Sequence, residues 1–170
     1  HFTRTPIVAV TGTNGKSTVT TLIGKVLEQA GKKVAIGGNL GVPFISMLGQ
    51  EPVEYFVLEV STFQLEGIKT FRPNIAIILN ITPDHLDRHK TFEEYATLKG
   101  KISAFQTEED ILILNNDDEN VIRQGKSSKA KKVFFSLLGE VGEVLCRHTC
   151  SAFSAFFAGI SGIPIATKSS

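Results

Sequence analysis

A chain of 170 residues is long enough to bury the core of one domain and too short for two full-sized ones. Hydrophobic residues make up 42% and charged residues 21%, with 18 basic against 17 acidic side chains, which excludes a disordered class and a long-range field that would attract nucleic acid or an anionic membrane. No apolar run reaches the roughly 20 residues of a membrane span, and the N-terminus lacks the order of a secretory signal, so we expect a cytoplasmic protein.

The first part of the chain alternates short buried strands with helical segments. Residues 6–11 (PIVAVT) form a β-branched run that stops at a glycine, as a buried parallel strand does. From Ser17 the apolar residues recur at helical spacing as far as Gly31, which is placed to cap the helix. A strand, a turn-rich loop and a short helix are then predicted at residues 34–36, 37–43 and 44–48.

The same alternation continues through the middle of the chain. Strands are predicted at residues 55–60, 74–79 and 111–114, and a helix with an interrupted apolar stripe at residues 92–105. This pattern predicts an α/β fold, a doubly wound and mostly parallel sheet flanked by helices. Such sheets bind ligands beyond the carboxyl ends of their strands, which is where the polar loops of this sequence fall.

Beyond Asn120 the pattern is weaker. We interpret residues 124–132 (QGKSSKAKK) as a solvated, flexible loop, because basic runs in connections are more often solvated than bound to nucleic acid. Cys146 and Cys150, with His148 between them, do not match common zinc-site spacings. Two short strands and a tail without clear caps are predicted at residues 133–137, 143–145 and 146–170.

A candidate phosphate-binding loop follows the first strand. Residues 12–17 (GTNGKS) lie between a strand and a helix, so the N–H groups of the loop and of the helix start converge on one point. Lys16 can reach the β- and γ-phosphates of a nucleotide, and the Ser17 hydroxyl can bind Mg²⁺. The full pattern would place glycine where this chain has Val10, so the match is to a shorter variant. The alternative, a glycine-rich turn with a chance lysine, does not account for the flanking strand and helix.

Two later strand ends carry further polar groups. Glu59 ends a strand near the expected crevice and is a natural Mg²⁺ ligand, although alone it could equally be a carboxylate paired to a nearby base. The loop at residues 80–89 (NITPDHLDRH) concentrates two Asp, two His and one Arg, which favours a catalytic or metal-binding role for His85 over a structural one. Lys99, on the following helix, would by itself be interpreted as a solvated side chain.

Together these loops resemble the Mur ligases, ATP-dependent amide-forming enzymes that assemble the peptide of bacterial cell-wall precursors. The motifs TGTNGKS, GGNLG, LEVSTFQLE, NITPDHLDRH, YATLKGKI and NNDDENV occur in the family's order between Pro6 and about Asn120. The resemblance implies that residues 1–145 are an incomplete central ATP-binding domain and that residues 146–170 are a divergent or irregular tail. The family's N- and C-terminal domains are not recognisable and the chain does not begin with methionine, so we expect part of a larger enzyme that is inactive alone.

The resemblance also implies the reaction. Within the family, residues 59–66 (EVSTFQLE) are most similar to the branch that joins D-glutamate to UDP-N-acetylmuramoyl-L-alanine. There the substrate carboxylate attacks the γ-phosphate of ATP, and the amine of D-glutamate then attacks the resulting acyl phosphate. The implied partners are these small molecules, with no nucleic acid and no membrane, and the implied state is a monomer.

Two Mg²⁺ ions belong to the implied site. Ser17 and Glu59 would hold one ion, and His85 would hold the second together with Lys99, which matches the family's carbamylated lysine. Carbamylation is chemically reasonable, because CO₂ converts an ammonium that repels a metal into a carboxylate-like ligand. Lys16, His85 and Lys99 would be the catalytic groups.

The remaining implied contacts are with nucleotide and substrate. Asn39 would contact the muramoyl substrate, and Ser61 would lie close to the same site. Asn115 and Asp118 are expected near the site without a stated role. The nucleotide would be bound by Gly12, Thr13, Asn14, Gly15, Lys16, Ser17 and Thr18.

Two other interpretations stay open at this point. A different ligase of the same superfamily, such as folylpolyglutamate synthetase, would share the phosphate loop but should lack the STFQLE segment. A non-catalytic nucleotide-binding module would use the phosphate loop alone, and substitution of Glu59, His85 or Lys99 would then leave turnover intact.

Overall fold

The computed structural model describes residues 3–49, 52–84, 91–136 and 138. Within them lies a six-stranded sheet in which all neighbouring strands run parallel. The strands are β1 Ile7–Thr11, β2 Val34–Gly38, β3 Tyr55–Glu59, β4 Ile75–Ile78, β5 Ile111–Asn115 and β6 Lys131–Phe135. Their order across the sheet is β2-β3-β1-β4-β5-β6. The predicted doubly wound, parallel α/β fold is therefore confirmed.

Helices flank this sheet. Those of the described residues are α1 Lys16–Gln29, α2 Phe44–Met47, α3 Thr62–Glu66, α4 Phe92–Gly100 and α5 Glu119–Gly125. The helix predicted at residues 92–105 ends at Gly100 and continues as a 3₁₀ turn, Lys101–Ser103. The sequence does not predict α3 and α5, because helices this short show no clear apolar period. No helix in the described ranges is long and apolar enough to cross a membrane.

The basic segment at residues 124–132 is a shorter loop than predicted. Helix α5 extends to Gly125 and strand β6 begins at Lys131, so residues 126–130 alone connect them. The strand thus starts before the predicted residues 133–137, because lysines are tolerated at the start of an edge strand. The predictions for residues 143–145 and 146–170 lie outside the described residues.

Apolar side chains cover both faces of the sheet. On one face Val8 and Val10 of β1 pack with Leu27 of α1, and on the other Ala9 belongs to a cluster with Tyr95 of α4. Successive strand residues point to opposite faces, so a strand that is buried on both faces is apolar throughout. Full burial of a side chain such as Leu27 stabilises the fold by about 2 kcal/mol.

The strand order places a crevice beside β1. The chain moves from β1 to β2 and β3 on one side and then crosses to β4 on the other. Loops that leave β1 and β4 at their carboxyl ends therefore run to opposite sides, which is the point where doubly wound sheets bind ligands. The candidate phosphate loop follows β1, and residues 79–84 follow β4.

Candidate functional site

The phosphate loop links β1 to α1 in the geometry of an anion site. The Thr11 hydroxyl at the end of β1 donates to Val60 O at 2.8 Å, and Gly15, with φ 82°, turns the chain into α1. No side chain of the described residues caps the start of α1. Its first N–H groups are therefore free to bind an anion at the positive end of the helix dipole.

Two lysines converge on this loop. Lys16 Nζ donates to Gly12 O at 3.0 Å and to Thr13 O at 2.9 Å. Lys99 Nζ donates to the same Gly12 oxygen at 2.8 Å. The structure therefore brings together the loop lysine and the lysine that the resemblance assigns to the same site.

Lys99 is buried, and the interpretation of it as a solvated side chain is wrong. Its residue is 2% exposed, and its ammonium lies 4.6 Å from the ring centroid of Tyr95. Burial is the main cause that lowers the pKa of Lys99 to about 7; the charge of Lys16 lowers it further and Asp84 opposes the shift. A substantial neutral fraction of this amine is consequently present near neutral pH.

Glu59 lies at the centre of a polar cluster beside the loop. It is 3% exposed, and its Oε2 accepts from the Ser17 hydroxyl at 2.6 Å while its Oε1 accepts from Asn39 Nδ2 at 2.8 Å. The sheet register produces this cluster, since Glu59 pairs with Val10 of β1 and with Gly38 of β2. Three residues predicted to bind metal or substrate thus form one hydrogen-bonded group.

Gly38 allows the chain to approach Glu59 closely. Its φ is 96°, and a Cβ at this position would lie 2.3 Å from Glu59 O. The next residue, Asn39, donates its backbone N–H to the same oxygen at 2.8 Å. A side chain at residue 38 would therefore displace Asn39 from the Glu59 carboxylate.

Thr13 connects the phosphate loop to the segment after β4 and to α4. Its Oγ1 accepts from Thr82 N at 3.0 Å, donates to Thr82 O at 3.2 Å and lies 3.1 Å from the Tyr95 hydroxyl. Burial raises the pKa of Tyr95. The phenol therefore stays protonated and can donate to Thr13.

Residues 115–120 hold the segment after β4 from the opposite side. Asp118 Oδ2 accepts from Ile81 N at 2.7 Å, and Asn115 Nδ2 donates to Leu79 O at 3.0 Å. The other oxygen of Asp118 accepts N–H groups of the first turn of α5 and so caps that helix. Asn115 and Asp118 therefore lie close to the site, as expected, and they hold the segment after β4 in place.

Two further predicted residues, Ser61 and Thr18, do not join these clusters. Ser61 caps the start of α3, where its N–H donates to Gln64 Oε1 at 2.9 Å, and Thr18 is exposed in the first turn of α1. His85 lies outside the described residues, so its pairing with Lys99 stays a prediction. In the ranges that the structure describes, no group of three or more His, Cys, Asp or Glu residues could hold a metal ion.

Sequence reasoning missed the residues that support the site. Tyr95 falls within the apolar stripe predicted at residues 92–105, and nothing in the sequence marks the contact of its hydroxyl with Thr13. Asn80 bonds to Asn14 in the phosphate loop. Its position directly after a buried strand is the one feature of the sequence that indicates this role.

Comparison with known proteins gives a consistent family. The family described as the Mur ligase middle domain matches residues 10–161. A UDP-N-acetylmuramoylalanine–D-glutamate ligase from Caldanaerobacter subterraneus subsp. tengcongensis is 50% identical over 137 residues, which are 80% of this chain and 30% of that protein. The chain therefore spans about a third of the length of the curated relatives that it matches.

Solved structures share the fold. A UDP-N-acetylmuramoyl-L-alanyl-D-glutamate–2,6-diaminopimelate ligase matches with a TM-score of 0.68 at 25% identity, covering 82% of this chain and 33% of that one. A MurF ligase from Thermotoga maritima in complex with ADP matches with a TM-score of 0.64 at 26% identity, covering 79% and 33%.

Proposed function

The chain belongs to the Mur ligase middle-domain family, and from this premise we propose that it is the ATP-binding middle domain of a ligase that joins D-glutamate to UDP-N-acetylmuramoyl-L-alanine in peptidoglycan precursor synthesis. The observation that carries the proposal is the buried Glu59, bonded to both Ser17 and Asn39 beside the phosphate loop. A carboxylate beside the hydroxyl of a phosphate loop is what a nucleotide bound with Mg²⁺ requires, and Asn39 adds a contact on the second oxygen of that carboxylate. The relatives that carry this name support the choice of substrates.

The phosphate loop would bind the nucleotide. The N–H groups of residues 15–18, at the turn into α1, would hold its phosphates, while those of Thr13 and Asn14 donate to Asn80. Lys16 would leave its two carbonyl partners, Gly12 O and Thr13 O, for the β- and γ-phosphates, because a phosphate oxygen is a stronger acceptor than a peptide carbonyl. The relative solved with ADP supports this assignment.

Ser17 and Glu59 fit a Mg²⁺ ion. Their oxygens are 2.6 Å apart, and Mg²⁺ is usually held by one or two protein oxygens together with phosphates and waters. When bound, the ion would neutralise charge on the transferred phosphoryl group. Asn39 would keep the Glu59 carboxylate oriented toward the phosphate loop.

Lys99 fits carbamylation. A neutral amine can attack the carbon of CO₂, form an N–C bond and lose a proton, and burial provides this amine by lowering the pKa of Lys99 to about 7. The carbamate and His85 would hold a second Mg²⁺ ion.

The proposed reaction needs positioning more than covalent help from the chain. The substrate carboxylate attacks the γ-phosphorus and ADP leaves; the amine of D-glutamate then attacks the acyl carbon, loses a proton, and phosphate leaves. Asn39 and Ser61 would face the muramoyl substrate from the carboxyl ends of β2 and β3. We also propose that the complete enzyme is cytoplasmic and monomeric and that it binds neither nucleic acid nor membrane.

Nucleotide binding tests the first half of this proposal. In calorimetric titration of the chain with Mg·ATP, Lys16→Ala should weaken binding at least tenfold, while Lys25→Ala, on the exposed face of α1, should leave it unchanged. Equal affinity of all three proteins would count against a working phosphate loop.

Acceptor specificity tests the second half. In the complete ligase that contains this sequence, ADP release should require both UDP-N-acetylmuramoyl-L-alanine and D-glutamate. Release driven instead by a folate and L-glutamate would identify a different ligase of the superfamily. Turnover that survives Glu59→Ala and Lys99→Ala would contradict the ligase site.

A further inference from the structure

Asn80, directly after β4, holds the tip of the phosphate loop with one side chain. Its Oδ1 accepts from Asn14 N at 2.8 Å, and its Nδ2 donates to Asn14 O at 3.1 Å. Its backbone oxygen accepts from Thr13 N at 2.9 Å. The side-chain amide of Asn80 therefore pairs with both the backbone N–H and the backbone C=O of Asn14, as a neighbouring strand would.

The residues on either side of Asn80 are anchored. Leu79 N donates to Thr11 O at 3.0 Å, and Ile81 N donates to Asp118 at 2.7 Å. Ile81 is 1% exposed, whereas Asn14 is exposed. The hydrogen bonds of Asn80 thus join a fixed base to the solvent-exposed tip of the loop.

We propose that Asn80 is a positioning residue for nucleotide binding: it keeps residues 13 and 14 in place, so that the other N–H groups of the loop face an incoming phosphate before it arrives. The inference rests on the proposed function, since it takes the loop to bind a nucleotide. A preformed loop binds more tightly than one that must be ordered on binding, because less conformational entropy is lost. In this proposal Asn80 does not contact the phosphate and acts through its hydrogen bonds to Asn14.

The other end of β4 provides a matched control. Asn74 Oδ1 accepts from Ile7 N at 3.0 Å, so an asparagine side chain also ties β4 to β1 at their amino ends. This bond lies at the amino ends of β1 and β4, whereas the phosphate loop follows the carboxyl end of β1. Asn74→Ala therefore removes a similar bond without touching the site.

The test compares Asn80→Ala and Asn74→Ala with the unchanged chain in two measurements. Hydrogen exchange should be at least about tenfold faster at the amides of Thr13 and Asn14 in Asn80→Ala, because their acceptors are lost or loosened. The dissociation constant for Mg·ATP in calorimetry should rise about tenfold in the same variant. Asn74→Ala should leave both quantities unchanged.

Three outcomes would overturn the positioning role. The first is unchanged hydrogen exchange at Thr13 and Asn14 in Asn80→Ala. The second is faster exchange in that variant with an unchanged dissociation constant for Mg·ATP. The third is an equal change of both quantities in Asn74→Ala. If the unchanged chain and Lys16→Ala bind ATP equally poorly, the proposed function fails instead. The exchange rates of Thr13 and Asn14 then still decide whether Asn80 holds the loop.

Discussion

Lys16 and Lys99 donate to the same acceptor, the carbonyl oxygen of Gly12, at 3.0 and 2.8 Å. Two ammonium groups at one oxygen repel each other, and one of them is buried. Proton loss from Lys99 or arrival of an anion relieves the repulsion. The repulsion therefore favours the two events that the proposed function requires here, namely nucleotide binding by Lys16 and carbamylation of a neutral Lys99.

The pKa of Lys99 predicts a pH-dependent stability. The unfolded chain keeps this lysine protonated up to about its ordinary pKa of 10.5, whereas the folded chain releases the proton near pH 7. Between these values the unfolded state binds more protons, so the free energy of unfolding should rise with pH by up to about 1.4 kcal/mol per unit. Lys99→Met should abolish this rise and stabilise the chain at low pH.

Urea unfolding between about pH 7 and 9, in buffers purged of CO₂ to prevent carbamylation, measures this effect. Lys25→Met, at an exposed position of α1, is the control and should keep the rise. A pH dependence that persists in Lys99→Met would show that the charge of Lys99 is not disfavoured in the folded chain.

Gly38 should tolerate no side chain. In Gly38→Ala the positive φ of 96° and the approach to 2.3 Å from Glu59 O add together, and we expect a loss of about 3 kcal/mol in unfolding free energy. Gly41→Ala is the matched control, since Gly41 has φ 68° and nothing lies within 4 Å of its added Cβ; it should lose about 1 kcal/mol. Equal losses in thermal or urea unfolding would contradict the close contact with Glu59.

The sequence predicts those features that depend on local pattern. The central strands β1, β3 and β4 show as apolar runs because they are buried on both faces. The phosphate loop shows because strand, glycines, lysine and helix are contiguous. The burial of Lys99 does not show, since it depends on packing of α4 against a loop 87 residues away in sequence. The bond between Glu59 and Asn39 likewise depends on strand register, which no single segment of sequence specifies.

Glu59 should determine how strongly nucleotide binding depends on Mg²⁺. Glu59→Gln keeps the size of the side chain but removes its charge, so the gain in ATP affinity on adding Mg²⁺ should fall at least about tenfold. Calorimetry with Mg²⁺ and with a chelator measures this gain. Glu66→Gln, an exposed position of α3, should leave it unchanged, and the same result in Glu59→Gln would remove this residue from the proposed metal site.

Asp118 should stabilise the segment after β4 and α5 together. Asp118→Ala removes the acceptor of Ile81 N, bound at 2.7 Å, and the cap of α5, whose N–H donors are Asn120 and Val121. A lost cap costs about 1 kcal/mol and an unpaired buried N–H about 1 to 3 kcal/mol, so unfolding free energy should fall by about 2 to 4 kcal/mol. Glu119→Ala, at an exposed position of the same turn, should change it by less than about 0.5 kcal/mol. Asp118 also holds Ile81, the residue that follows Asn80, so hydrogen exchange at the amide of Asn14 should be faster in Asp118→Ala. Equal unfolding free energies and equal exchange rates in Asp118→Ala and Glu119→Ala would show that the Asp118 carboxylate does not support the loop.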